Sequence, residues 1–167
     1  MKNNDILRRL RYIFDMDDAE MIAVFGAADR KVAREQVSDW LKKDDDPAYQ
    51  VCGDADMATF LNGLINVKRG KRDGAQPEPE KRLTNNMIFM KLKIALNLKA
   101  EDVLEILELV EFRVSKHELS ALFRKPDHKH YRECKDQMLR HFLQGLQLRY
   151  RGGGALPGDD GQAPLTR

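Results

Sequence analysis

The sequence predicts an all-α protein built from two tandem copies of a small four-helix module packed together, followed by a disordered tail. Three observations predict it. The chain aligns with itself without a gap at an offset of about 82 residues. Apolar residues recur at helical spacing in both halves, and no segment sustains the alternation of a strand. In the self-alignment Asn3-Asn4 falls on Asn85-Asn86, Ile6 on Ile88, Leu10 on Leu92, Tyr49 on Tyr131 and Cys52 on Cys134. Phe60-Leu61 falls on Phe142-Leu143, and Gly63-Leu64 on Gly145-Leu146. Roughly a quarter of the positions are identical. The period exceeds that of common solenoids, so the repeating unit is a small domain.

The expected boundaries are residues 1–70 for copy one, 71–84 for a linker, 85–151 for copy two and 152–167 for the tail. The linker alternates proline with charge and should be extended and exposed. The tail is Gly/Pro-rich with little apolar content.

The first helix is expected over about 4–14, with Ile6, Leu7, Leu10, Ile13 and Phe14 as its apolar face and Asn3 or Asn4 as its cap. The second begins near Asp17-Asp18 and buries Met21, Ile22 and Phe25. The third covers about 33–43 and buries Val37, Trp40 and Leu41. The fourth covers about 54–68 and stops at Gly70. Copy two repeats the pattern, and its Ser115 with Glu118 reads as a capping box. Ala33 and Gln36 stand at those places in copy one, which loses the hydroxyl cap at a cost of about 1 kcal/mol. A module of this size buries only about 60% of its unfolded surface, so the copies are expected to support one another.

The composition narrows the function classes. The 167 residues carry 29 Lys+Arg against 27 Asp+Glu, a net charge of +2, with 42% hydrophobic residues. No apolar run approaches the ~20 residues of a membrane-spanning helix. The N-terminal segment becomes charged too early for a signal-peptide core. A cytoplasmic protein without membrane contact is expected. Two cysteines form no disulfide framework, and no phosphate-binding loop, dinucleotide fingerprint, nucleophile elbow or HExxH motif occurs. No catalytic residue and no cofactor is nominated.

Basic positions match between the copies more often than acidic ones. Seven pairs do so: Arg9/Lys91, Arg11/Lys93, Lys31/Arg113, Arg34/Lys116, Lys42/Arg124, Lys43/Lys125 and Arg69/Arg151. They read either as two related anion-binding faces, for nucleic-acid phosphates or an acidic protein, or as solvated helix faces. Helices two and three could form a helix-turn-helix, but the connection from Gly26 to Val32 is too long for its tight turn, and an ordinary hairpin fits better. Glu101, Glu105 and Glu108 would also repel phosphates.

His128, His130 and Cys134 form the most metal-like stretch. Copy one has Asp46, Ala48 and Cys52 there, and no fourth ligand is evident, so no metal is predicted. A basic exposed loop, whose His, Arg and Tyr side chains could touch nucleotides, fits better. Cys52 and Cys134 read as buried small hydrophobes, unpaired with each other. Gly63 and Gly145, inside helices, call for close helix contact. The second helix of copy two is apolar on more than one face, through Val103, Leu104, Ile106, Leu107, Leu109, Val110 and Phe112. Its surplus, Ile106, Leu109 and Val110, suggests packing on copy one or an interface with another chain, including a homodimer.

The segments NND-I-RRLRY, LKK-DDPAY-C, EPEKRLTNN, VSK-ELSALFRKP-HKHYREC and FL-GLQLR together resemble the YehS-like family, bacterial proteins with a duplicated domain of unknown function. The resemblance covers about residues 1–150 and implies two similar helical modules in a small cytoplasmic protein. It implies no activity, ligand or catalytic residue. The tail departs from the compact C-terminus it would imply.

Together these features predict a non-enzymatic binding protein, with nucleic acid held by Arg9, Arg11, Arg34, Lys42, Lys43, Lys91, Lys93, Lys116, Arg124 and Lys125 as phosphate contacts. The alternative is a protein-protein adaptor or homodimer using Ile106, Leu109 and Val110.

Overall fold

A computed structural model describes residues 1–152; the predicted tail, apart from its first residue Gly152, lies outside them. Among the described residues there are eight helices and no strand: α1 (Asn3–Ile13), α2 (Asp18–Ala27), α3 (Arg34–Leu41), α4 (Asp54–Arg69), α5 (Asn85–Ala95), α6 (Ala100–Glu108), α7 (Lys116–Leu122) and α8 (Asp136–Arg151). They fall into two compact units, Met1–Leu83 and the residues from Thr84 on.

In the first unit α2 packs along α4 and α3, and α1 packs on α3 and α4. In the second, α6 packs on α8 and α7, and α5 on α8. Ile6, Leu7 and Leu10 of α1 are fully buried at the spacing that places them on one stripe. Both cores carry an aromatic cluster, assembled differently. In the first unit Phe25 of α2 lies 5.4 Å from Trp40 and 5.2 Å from Phe60. In the second the matching positions of α6 and α7 are Leu107 and Leu122. There the ring comes from α5, where Phe89 replaces Leu7 and lies 4.2 Å from Phe142 and 5.2 Å from Phe123. Two rings are lost at Leu107 and Leu122 and two are gained at Phe89 and Phe123, which stand where copy one has Leu7 and Leu41, the kind of compensating exchange that dense packing favours.

The helix ends repeat as well. Asp15 and Asn97 follow α1 and α5 with positive φ, and Asp29 and Glu111 follow α2 and α6 likewise. At each the chain turns back, as where Arg30 donates its N–H to the Phe25 carbonyl and Phe112 to that of Leu107 (both 3.0 Å). This turn corrects one expectation. The apolar run of copy two does not continue as helix through Phe112. α6 stops at Glu108, and Phe112 folds back to stack on His141, ring centroids 4.3 Å apart.

The caps divide between expectation and correction. Asp17 and Ser115 form capping boxes with Glu20 and Glu118, and Ala33 provides no side-chain cap. Asn3 and Asn4 cap nothing. They lie inside the first turn of α1, after Lys2, and their amides reach elsewhere. Thr84 caps α5 by accepting the Met87 N–H, a role the sequence reading missed.

Gly63 and Gly145 mark the tightest helix contacts. A Cβ on Gly63 would overlap the Val24 carbonyl oxygen of α2, and one on Gly145 the Ile106 carbonyl oxygen of α6. The absent side chain lets the paired helices approach to backbone contact.

Candidate nucleic-acid interface

The loop between the third and fourth helices is anchored in the same way in both units, and paired asparagines anchor it. Asn4 donates to the carbonyls of Trp40 (3.0 Å) and Gln50 (2.7 Å), and its Oδ1 accepts the Cys52 N–H at 3.0 Å. Asn86 donates to those of Leu122 (2.9 Å) and Arg132 (2.8 Å) and accepts the Cys134 N–H at 2.8 Å. Asn3 reaches the Cys52 carbonyl and Asp54, as Asn85 reaches the Cys134 carbonyl and Asp136. The Gln50 N–H bonds Asp39, and Arg132 bonds Ala121 in the same way. Both ends of each loop are thereby tied to helices, and its side chains project from a fixed backbone.

On this common backbone the two loops carry different charge. Residues 42–52 hold Lys42 and Lys43 with Asp44, Asp45 and Asp46. Residues 124–134 hold Arg124, Lys125, Lys129 and Arg132 with Asp127 and Glu133, plus His128 and His130. Lys125, His128, Lys129, His130 and Arg132 are exposed, and Arg124 and Tyr131 are half-buried. Among the described residues Lys125, Lys129 and Arg132 form no ion pair, while Glu133 is engaged by Lys135 at 3.1 Å.

The ten expected phosphate contacts lie in different environments. Arg9 is 5% exposed, because it lies three residues after Ile6 and four before Ile13, on the buried stripe of α1. It is withdrawn from solvent and does not present its charge there. Arg11 is half-buried, 4.0 Å from Asp18. Lys42 bonds Asp39 at 2.8 Å, which raises the pKa of its ammonium. Lys116 bonds Glu101 at 2.8 Å and holds that carboxyl below its ordinary range. Lys93 lies over the Phe123 ring, 5.3 Å from its centroid. Lys43 and Lys91 are half-buried. Arg34 and Lys125 are exposed, and Arg124 half-buried. The expected pair of equivalent basic faces is thus largely occupied within each module, and Arg124 and Lys125 fall on the basic loop. Lys129 and Arg132, unmatched between the copies, escaped a search for matched positions.

Of the apolar surplus on α6, Ile106 is fully buried over Gly145 and offers no interface. Leu109 is 38% exposed and Val110 half-buried, both beyond the end of α6.

Among the described residues no three His, Cys, Asp or Glu side chains converge where they could hold a metal ion. Cys134 is buried and its thiol pKa is pushed up to about 12 by that burial, so it is a poor partner for a cation. Cys52 matches it, at about 12 for the same reason. No helix among the described residues is long and apolar enough to cross a membrane.

Residues 3–70 and 85–152 each match the family described as "Protein of unknown function (DUF1456)". The chain is 45% identical over 150 residues to the uncharacterized protein YehS of Escherichia coli (strain K12), covering 89% of this chain and 96% of that protein. No solved structure matches it.

Proposed function

The chain belongs to the YehS-like family of duplicated DUF1456 modules, and from that premise we propose a cytoplasmic, non-enzymatic protein that binds nucleic-acid phosphates through its α7–α8 loop. One observation carries this reading. The loop exposes Lys125, Lys129 and Arg132 without ion pairs, on a backbone tied at both ends by Asn85 and Asn86. Cations without ion pairs on a preordered loop release counterions when they meet phosphates and lose little conformational entropy in doing so. The interspersed rings of His128, His130 and Tyr131 add surfaces on which bases can stack.

The test is filter retention of labelled single-stranded and duplex oligonucleotides at low salt. Wild-type protein retains them, and the triple variant K125E/K129E/R132E does not, with its helical circular dichroism unchanged. Absence of retained DNA and RNA by the wild type ends this reading.

The exposure of Leu109 favours a second reading, an adaptor or homodimer joined through Leu109 and Val110. Light scattering at increasing concentration decides it. A constant monomer mass excludes the homodimer.

A further inference from the structure

Cations and aromatic rings alternate along the α7–α8 loop. Lys125, His128, Lys129, His130 and Arg132 follow in that order, and all of them are exposed. The matching positions of copy one hold Lys43, Asp46, Pro47, Ala48 and Gln50, a set with one cation and no aromatic ring. Tyr131 is half-buried and matches Tyr49, which is half-buried too, so it belongs to the shared scaffold. The two imidazoles are therefore what the second module adds beside its extra cations.

These rings stand on an ordered turn. His128 donates its N–H to the Lys125 carbonyl at 2.9 Å, and Tyr131 donates to the His128 carbonyl at 3.0 Å. The His128 ring is itself held, because its Nδ1 accepts the His130 N–H at 3.0 Å. The two ring centroids lie 5.5 Å apart with their planes tilted by 41°. A base between them would need about twice the 4.2 Å that separates the stacked Phe89 and Phe142, so none can enter. Each ring can instead take a base on its outward face. Bases in a duplex are stacked on one another and offer only their edges, whereas a single strand can splay its bases onto aromatic side chains. Charge alone would not favour the single strand, since a duplex carries about twice the phosphates per unit length.

We infer that the α7–α8 loop selects single-stranded nucleic acid, DNA or RNA, and that His128 and His130 are its specificity-determining residues. Lys125, Lys129 and Arg132 meet the phosphates, and the two imidazoles each stack on one base. The inference rests on the phosphate binding proposed above and adds a preference that cations by themselves do not supply.

The full chain is titrated at low salt with labelled single strands of DNA and of RNA and with a DNA duplex of the same length. A single strand should bind about tenfold tighter than the duplex, and the tighter of the two strands names the sugar the site takes. His128→Asn removes a ring but keeps an acceptor for the His130 N–H, and His130→Ala removes the other. Both rings are exposed, so the helical circular dichroism of the double variant H128N/H130A should match the wild type. That variant should lose about tenfold on the single strand and nothing on the duplex. H128N/H130F, which returns one ring without a charge, should recover part of the loss. The dependence of affinity on salt should stay the same in both variants, because stacking releases no counterions. Equal wild-type binding of single strands and duplex overturns the inference and leaves phosphate binding standing. So does a preference that survives in H128N/H130A, or a shallower salt dependence there. Binding to no nucleic acid, single or duplex, refutes the phosphate-binding reading and the inference together.

Discussion

Asn86 satisfies three backbone groups with one buried side chain, and so does Asn4. Truncation leaves two carbonyls and one N–H without their partner, each costly when buried. Asn86→Ala is expected to lower stability by about 2–4 kcal/mol, read from urea unfolding. Asn86→Asp keeps the shape and the acceptor but loses the donors, so it should recover little. The pair NN was visible in the sequence, and its recurrence at Asn85-Asn86 marked it as special. A helix cap was the local explanation; the true partners lie 36 to 51 residues away, a separation that periodicity cannot reveal. The cysteines were read correctly: both are buried and neither forms a disulfide. Burial keeps both thiols protonated at neutral pH, so neither should react with a thiol reagent at pH 8 until the protein is unfolded. His141 adds a pH dependence. Its burial and the adjacent Arg140 charge hold its pKa below the ordinary value, and its Nδ1 is buried without a hydrogen-bond partner. The unfolded chain therefore takes up a proton first. The stability that neutral His141 contributes is full above about pH 6.5 and declines as the pH falls through the folded value. His141→Phe, which retains a ring against Phe112, should make the urea midpoint decline less between pH 7.5 and pH 5.5.

At the scale of helices, contact distance and chain reversal set the energies. Gly145→Ala places a methyl group against the Ile106 carbonyl, and α6 and α8 must separate to admit it. A loss of about 2–3 kcal/mol is expected, observed as a lower melting temperature. Glu111 is the opposite case. It holds a φ of 57° at a helix end, where a side chain is strained and a negative charge opposes the dipole. Glu111→Gly should stabilise the second unit by about 1 kcal/mol in urea titration. The need for glycine within α4 and α8 was legible, because a residue so poor at forming helices recurs at matched places. The end of α6 was not. Leu109, Val110 and Phe112 keep the apolar character of the helix before them, and Glu111 gives no glycine signal of the turn.

Across the whole molecule, counting matched cations overstated the basic surface. Charge on a helix is free to meet a partner only when its own module does not bury or pair it. Arg9 shows the first failure and Lys116 the second. A search for matched positions also discards whatever distinguishes the copies, and the basic loop is such a difference. Four cations there, Arg124, Lys125, Lys129 and Arg132, give a definite expectation. If all four meet phosphates of a single strand, the logarithm of affinity should fall with the logarithm of salt at a slope of about −3. Titration at several salt concentrations measures it, and a slope near zero would assign the binding to other forces.

The asparagine brackets have a consequence for how such a chain can diverge. Because every anchor of the loop is main chain or a residue common to both halves, the stretch between anchors is an interchangeable cassette. Its chemistry can be rewritten, from acid-rich at 42–51 to base-rich at 124–133, without renegotiating the scaffold that presents it. A gene duplication of this kind yields one framework displaying two unlike messages.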